Sequence, residues 1–260
     1  MKAVARIGAL ALIAALGAFA ARAQIAEADR KSGSAFMSAQ TQQMQRDDGA
    51  NPAMLSALDG ESLWKAKTGG AAKSCADCHG EAQTSMKGVA ARYPTFNEAN
   101  QRPIDLQGRI NLCRQDQQKA TPLAPESRDL LALSAFIGLQ SRGMPTAPPD
   151  DPRLTPFTER GRALWNQRMG QLNFSCAQCH DDNWGKHLGS APIPQAHANA
   201  YPIYRLEWQG MGSLQRRLRN CMSGVRAQAF PYGAQEFVEL ELYLAQRARG
   251  MAVETPGVRP

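Results

Sequence analysis

The chain has 260 residues and a formal net charge of +7. Its first 23 residues hold three basic residues and no acidic one, so a chain without them carries a net charge of only +4. This small positive excess argues against a nucleic-acid partner. The remaining residues, about 237, are enough for one large or two small domains.

Residues 1–23 have the pattern of an export signal. A basic start is followed by an apolar run rich in Ala and Leu, and then by the small residues Ala21 and Ala23. A signal peptidase recognises such small residues, so cleavage is expected before Gln24. The apolar run is shorter than the ~20 residues that a membrane span needs, and no later segment is long and apolar enough. The sequence therefore predicts an exported protein without a membrane span.

Residues 24–55 have no counterpart elsewhere in the chain. Their content of Gln, Met and Ala is typical of helices. We predict an extra N-terminal helical segment that packs on the body of the protein or on a partner.

A Cys-x-x-Cys-His motif occurs twice, as Cys75-Ala-Asp-Cys78-His79 and as Cys176-Ala-Gln-Cys179-His180. This pattern attaches c-type haem: the two cysteines bond to the haem vinyl groups, and the histidine becomes the proximal iron ligand. One copy could arise by chance or serve as a redox dithiol. Two copies after an export signal predict two covalently bound haem c groups and a location in the periplasm, where such haem is attached.

The two motifs lie in two halves that repeat each other. Gly60, Leu63 and Trp64 match Gly161, Leu164 and Trp165; Tyr93, Pro94 and Leu106 match Tyr201, Pro202 and Leu214; Leu130, Leu133 and Gly143 match Phe237, Leu240 and Gly250. Apolar residues at helical spacing and few strand signals predict an all-α fold. We predict two tandem cytochrome c-like domains related by duplication, residues 56–143 and 158–260, joined by the Pro-rich linker 144–157.

Two cysteines, Cys113 and Cys221, remain outside the motifs, at equivalent positions of the two halves. A haem iron has a second axial position, and a residue repeated in both halves is a natural candidate for it. Alternatively, the two cysteines form a disulfide, as spare cysteines in exported proteins often do. Methionine ligation is another alternative, although no methionine pair falls at equivalent positions; the candidates are Met86, Met144, Met211 and Met222.

Arg217 lies one helical turn before Cys221. Its guanidinium could bind a small oxyanion beside the iron, or it could neutralise a haem propionate. The first half supports the propionate interpretation, because Arg109 lies one helical turn before Cys113 in the same way. The second half is nevertheless more cationic and is predicted to be the better anion site, because Arg216 and Arg219 align with Gly108 and Asn111.

The chain resembles the SoxA family, the dihaem cytochrome subunits of the SoxAX complexes of bacterial thiosulfate oxidation. The resemblance covers nearly the whole chain after residue 23 and is carried by both haem motifs, the cysteine that follows each, and Arg217-x-x-x-Cys221. It implies His/Cys ligation of both irons. Haem 1 is then held by Cys75, Cys78, His79 and Cys113, and haem 2 by Cys176, Cys179, His180 and Cys221.

The resemblance also implies an activity, L-cysteine S-thiosulfotransferase. Thiosulfate is joined oxidatively to a cysteine of a SoxYZ-type carrier protein, and two electrons leave through a SoxX-type monohaem cytochrome that forms a heterodimer with the chain. The catalytic residues implied are Cys221, as thiolate or persulfide, and Arg217, which holds the sulfonate.

Three alternatives remain at the level of sequence. A thiosulfate dehydrogenase couples two thiosulfates into tetrathionate. The resembling pattern in that family has one Cys-ligated and one Met-ligated haem, whereas both halves of this chain offer a cysteine. A plain dihaem electron carrier usually has Met ligands and a high potential. A dihaem peroxidase needs an open or labile distal position, which thiolate ligation at both irons opposes.

Overall fold

The structure is a computed structural model that describes residues 25–260; the predicted export signal, 1–23, lies outside the described residues. The helices of this part are α1 (Ala39–Arg46), α2 (Ala53–Lys65), α3 (Cys75–His79), α4 (Ala82–Ser85), α5 (Leu106–Cys113), α6 (Arg128–Leu139), α7 (Thr155–Asn166), α8 (Cys176–His180), α9 (Leu214–Gly224) and α10 (Gln235–Arg247). Among the described residues, no helix has the length and apolar character needed to cross a membrane.

Short strands pair locally around this helical framework. They are β1 (Thr95–Asn97), β2 (Arg102–Ile104), β3 (His187–Leu188), β4 (Ala191–Pro192), β5 (Ile203–Arg205), β6 (Gly210–Gly212) and β7 (Gly257–Arg259). The β1–β2 and β3–β4 pairs are antiparallel hairpins, whereas β5 pairs antiparallel with β6 and parallel with β7. The predicted helical fold with two tandem domains is confirmed, and the strands are loop segments too short to show period-two alternation in the sequence.

Each half is built on one close helix crossing. In the first half α2 crosses α6, and in the second α7 crosses α10. A Cβ atom on Gly60 would lie 2.1 Å from the backbone oxygen of Ala132, and one on Gly161 would lie 2.1 Å from that of Glu239. Both crossings therefore require glycine, which explains why this residue is repeated at the offset of the duplication.

Gly161→Ala is expected to lower the free energy of unfolding by about 3 kcal/mol, because the added methyl group forces α7 and α10 apart. Equilibrium unfolding in urea, followed by far-UV circular dichroism, measures this loss. Gly224→Ala is the matched control, since its Cβ meets no atom within 4 Å. Equal stability of the Gly161 variant and the native chain would show that the crossing tolerates a wider separation.

The Pro-rich segment between the halves is held by backbone pairing. Gly143 N donates to Val253 O and Thr146 N donates to Met251 O, each at 2.8 Å. The 3₁₀ turn Pro152–Leu154 follows, and α7 begins at Thr155, inside the linker that we predicted to extend to residue 157. The earlier start has a local cause: the Asp151 side chain accepts from Arg153 N at 3.0 Å and caps the turn.

The N-terminal segment packs on the second half and on the C-terminal tail. Lys31 N donates to the Gln195 side chain at 2.6 Å, and the Asn51 side chain donates to Pro256 O at 3.0 Å. The Phe36 ring meets the Trp184 ring edge-on at 6.5 Å. The segment is therefore helical only in part, and polar contacts together with the Phe36–Trp184 contact hold it on the body.

Candidate functional site

Both motif helices, α3 and α8, begin with the same capping box. Ser74 N donates to the Asp77 carboxylate at 2.8 Å, and Asp77 N donates back to the Ser74 hydroxyl at 3.0 Å. Ser175 and Gln178 make the equivalent pair. These reciprocal hydrogen bonds start a helix of only five residues and fix both cysteines and the histidine of each motif on one short turn.

A buried tryptophan supports each motif histidine. Trp64 from α2 lies against His79, and Trp165 from α7 lies against His180, with ring centroids 5.7 Å apart in both halves. Trp64 and Trp165 are only 3% and 1% exposed. The duplication thus repeats the packing that orients the histidine, as well as the motif itself.

The tautomer of His180 follows from its hydrogen bond. Its Nδ1 lies 2.6 Å from Pro194 O. A carbonyl oxygen can only accept, so Nδ1 carries the proton and the lone pair of Nε2 is available to a metal. This is the state that an axial histidine ligand requires.

Cys221 on α9 lies within hydrogen-bonding reach of the His180 side chain. Burial would raise the pKa of the Cys221 thiol, but interaction with the His180 side chain and the charges of Arg217 and Arg205 outweigh burial and lower that pKa to about 7. The structure therefore brings together His180, Cys221 and Arg217, three of the residues predicted for the second site.

The equivalent cysteine of the first half has a different environment. Burial raises the pKa of the Cys113 thiol, and the nearby charge of Arg109 offsets this only in part. Cys113 lies close enough to Cys75 and Cys78 to interact electrostatically with both thiols. All six cysteines are unpaired thiols, so no disulfide joins Cys113 to Cys221. Of the two equivalent cysteines outside the motifs, Cys221 is the one whose surroundings favour a thiolate.

Two of the arginines that flank Arg217 are engaged elsewhere. Arg216 donates to Met211 O at 3.0 Å and lies 4.3 Å from the centroid of the Trp208 ring. Arg219 donates to Phe230 O and lies 4.6 Å from the centroid of the Tyr232 ring. Their N–H groups are therefore used within the protein, and neither arginine is among the charges that lower the pKa of Cys221.

A further cation, Arg205, was missed by sequence reasoning. It lies on β5, and its charge lowers the pKa of Cys221 together with that of Arg217. The repeat could have indicated it, because Arg205 aligns with an uncharged residue of the first half, Asn97, which lies 108 residues earlier.

The residue after His180, Asp181, forms a buried ion pair. Its carboxylate lies 2.7 Å from the guanidinium of Arg247 on α10, and the two side chains are only 9% and 3% exposed. Trp165 donates its indole N–H to the same carboxylate at 2.7 Å. The first half has Gly80 and Gln140 at the equivalent positions, so this network distinguishes the second site.

His197 is buried beside this ion pair, 6% exposed, and its Nε2 lies 3.2 Å from the Gln195 side chain. Burial, with the charges of Arg247 and Arg30, lowers the pKa of His197 to about 4. The unfolded chain takes up this proton near the ordinary histidine pKa, so the stabilising contribution is complete above about pH 6.5 and is lost as the pH falls towards 4.

We expect the free energy of unfolding to fall by about 2 kcal/mol more in the native chain than in His197→Gln when the pH is lowered from about 7.5 to about 5. Urea unfolding at the two pH values measures the difference. His187→Gln is the control, because His187 is exposed on β3. An identical pH response of the His197 variant and the native chain would exclude this histidine as the cause.

Comparison with known proteins agrees with this geometry. The family model "SoxA/TsdA, cytochrome c domain" matches residues 59–146 and 160–253. The L-cysteine S-thiosulfotransferase subunit SoxA of Pseudaminobacter salicylatoxidans is 39% identical over 88% of this chain and 80% of its own. That of Paracoccus pantotrophus is 36% identical over 88% of this chain and 78% of its own.

A solved structure is also similar. The crystal structure of SoxXA from P. pantotrophus superposes with a TM-score of 0.86 and 34% identity, over 89% of this chain and 87% of that chain. The match thus covers both halves and the segments around them. Together with the repeated haem motifs, these similarities establish that the chain belongs to the SoxA/TsdA family of c-type cytochromes.

Proposed function

We propose that this chain is a dihaem cytochrome c subunit that oxidatively conjugates thiosulfate to a cysteine of a carrier protein, as an L-cysteine S-thiosulfotransferase in sulfur oxidation. The observation that carries the proposal is the arrangement of the second site. Cys221, a thiol with a pKa of about 7, lies close to the motif histidine His180 and to the charge of Arg217. The names of the SoxA relatives support the same activity.

The donor set fits two haem c groups. Each motif offers two unpaired thiols and one histidine on a short helix, and His180 keeps Nε2 free for iron. Haem 1 is assigned to Cys75, Cys78, His79 and Cys113, and haem 2 to Cys176, Cys179, His180 and Cys221. A haem held at the second site would supply a one-electron acceptor for the sulfur chemistry of Cys221.

The reaction divides into two steps at Cys221. In the first, the thiolate sulfur of Cys221 bonds to the outer sulfur of thiosulfate, and as this S–S bond forms the two sulfur atoms give up two electrons, which pass one at a time to oxidised cytochrome. In the second, the thiolate of the carrier attacks that outer sulfur, and Cys221 departs again as a thiolate. Overall, one thiosulfate and one thiolate give one S-thiosulfonate and two electrons. Arg217 holds the sulfonate during both steps.

The partners and the location follow from the same proposal. A SoxX-type monohaem cytochrome forms the heterodimer and takes the electrons, which the similarity to SoxXA from P. pantotrophus supports. A SoxYZ-type protein is the carrier. The signal pattern of residues 1–23 supports a periplasmic location, where haem c is attached.

The test is a reconstituted reaction. The haem-loaded chain and its cytochrome partner are mixed with thiosulfate, the carrier and an oxidised cytochrome acceptor, and the carrier is analysed by mass spectrometry. We expect an S-thiosulfonate on the carrier cysteine and two electrons per adduct. Tetrathionate formation with an unmodified carrier would instead favour a thiosulfate dehydrogenase.

A further inference from the structure

The carbonyl group that binds His180 belongs to the peptide unit between Pro194 and Gln195. Pro194 O accepts from His180 Nδ1 at 2.6 Å. The proline ring fixes the backbone on one side of this planar unit. On the other side stands Gln195, whose side chain is completely buried. The contacts of Gln195 therefore decide how firmly the carbonyl is held against the histidine.

The N-terminal segment binds both ends of the Gln195 amide. Nε2 of Gln195 donates to Asp29 O at 3.0 Å, and its Oε1 accepts from Lys31 N at 2.6 Å. His197 Nε2 lies 3.2 Å from the same oxygen. Because the amide is buried, a shift away from either backbone group would leave a polar atom without its partner. The segment thus fixes both the position and the orientation of this side chain.

The backbone of Gln195 is held from within the domain. Arg247 donates from Nη2 to Gln195 O at 3.3 Å, and the same guanidinium lies 2.7 Å from the Asp181 carboxylate. Gln195 is therefore tied on two sides, through its carbonyl to the buried ion pair and through its side chain to the N-terminal segment. The carbonyl of Pro194, one peptide unit earlier, is held in place as a result.

The first half has a different residue at this position. Gln195 aligns with Lys87, which lies 108 residues earlier and is exposed. The next residue in each half supports this register, since Ala196 and Gly88 both have positive φ, 57° and 71°. Residues 24–55 have no counterpart in the repeat. The clamp on Gln195 is therefore particular to the second half.

The carbonyl itself is also used differently in the two halves. At the same offset Pro194 aligns with Met86. Met86 O accepts from Val89 N at 3.0 Å, a bond within its own turn, whereas Pro194 O accepts from the ring of His180. The two motif histidines thus differ in their surroundings although the motifs themselves are the same.

We propose that Gln195 is a positioning residue, through which the N-terminal segment holds the Pro194 carbonyl on His180 and so sets the donor strength of this histidine towards haem 2. A firm hydrogen bond at Nδ1 makes Nε2 a stronger donor and favours ferric iron, and a loosened one favours ferrous iron. This role rests on the assignment of haem 2 to His180 in the proposed function. It gives two haems with the same set of ligands different reduction potentials.

The test is Gln195→Ala in the haem-loaded protein with its cytochrome partner. The potentials of both haems are measured by redox titration followed by electron paramagnetic resonance, and the signal that changes in Cys221→Met identifies haem 2. We expect the equilibrium of haem 2 to shift about tenfold towards the ferrous state, about 60 mV for a one-electron couple. The potential of haem 1 should stay at its native value.

Asn51→Ala is the matched control. Asn51 is also a buried amide that ties the N-terminal segment to the body, but it donates to Pro256 O at 3.0 Å and accepts from Ala53 N, away from the loop that carries Pro194. This variant should lose stability, as Gln195→Ala does, and should keep both native potentials. It therefore separates a weaker attachment of the segment from a change at His180.

Lys31→Pro tests the same contact from the side of the segment, and it serves if Gln195→Ala fails to fold, because Lys31 is exposed. Proline has no N–H, so the 2.6 Å hydrogen bond to Gln195 is lost. Arg30 is already extended, with φ −67° and ψ 128°, as a residue before proline has to be. Lys31→Ala keeps the N–H and loses only the ammonium group, which lies 5.3 Å from the centroid of the Trp184 ring. Haem 2 should shift in Lys31→Pro and stay native in Lys31→Ala.

Native potentials in both Gln195→Ala and Lys31→Pro would overturn the positioning role. Equal shifts of the two haems, or a shift in Asn51→Ala as large as that in Gln195→Ala, would overturn it as well, because they would indicate a general loosening of the fold. None of these readouts involves thiosulfate or the carrier. A native protein that fails to conjugate thiosulfate, while Gln195→Ala shifts haem 2 alone, would overturn the proposed function and leave the role of Gln195 intact.

Discussion

Cys221→Met is expected to abolish conjugation of thiosulfate to the carrier, with kcat lowered by about 10³-fold or more. A thioether can still bind iron, so haem 2 should be retained. It has no thiolate state, however, and cannot form and release the S–S bond that the proposed reaction needs. Steady-state conjugation by the haem-loaded complex measures the loss, and the visible absorption spectrum checks the haem content.

Cys113→Met is the matched control, because Cys113 occupies the equivalent position in the first half. Burial raises the pKa of its thiol, whereas the His180 side chain and two arginines lower the pKa of Cys221. We expect kcat of this variant to stay within a few-fold of native. Full activity in Cys221→Met, or equal losses in the two variants, would contradict a covalent role for Cys221.

Asp181→Ala is expected to lower the free energy of unfolding by about 3–5 kcal/mol, because it leaves the guanidinium of Arg247 buried without its counter-charge. The carboxylate also accepts the indole N–H of Trp165, which would lose its partner. Denaturant unfolding of the haem-loaded protein, followed by both tryptophan fluorescence and circular dichroism, measures the change.

Two further variants test whether the loss of stability comes from the burial of the ion pair. Asp59→Ala removes the 2.7 Å pair with Arg128, which is exposed, and should change stability little. The double variant Asp181→Gly with Arg247→Gln installs the residues that the first half carries, Gly80 and Gln140, and should recover part of the loss. Native stability of Asp181→Ala would show that Arg247 finds another partner or water.

Much of the fold could be predicted because the chain repeats itself. Gly60 and Gly161, at equal places in the two halves, correspond to the same helix crossing, and Trp64 and Trp165 support the two motif histidines. Periodic apolar residues marked the long helices α6 and α10. The N-terminal segment was harder to predict, since its composition indicated a helix, but its contacts mix hydrogen bonds with the Phe36–Trp184 contact and have no period.

Some residues of the candidate site could also be predicted from the sequence, and others could not. Cys221 and Arg217 are one helical turn apart, so spacing along the chain was enough to associate them. Arg205 and Arg247 reach the site from β5 and α10, through strand pairing and helix packing, and no local pattern marks them. Long-range contacts of this kind depend on the tertiary fold, and only their departure from the repeat was visible in the sequence.

The central claim is that the cysteines Cys113 and Cys221 lie on the two haem irons, with Cys221 placed there to react. Low-temperature electron paramagnetic resonance of the ferric, haem-loaded protein tests it most directly. The account predicts two low-spin signals of the histidine/thiolate type, with one of them lost in Cys221→Met. Histidine/methionine or high-spin signals in the native protein would contradict it, because they would place both cysteines away from the irons.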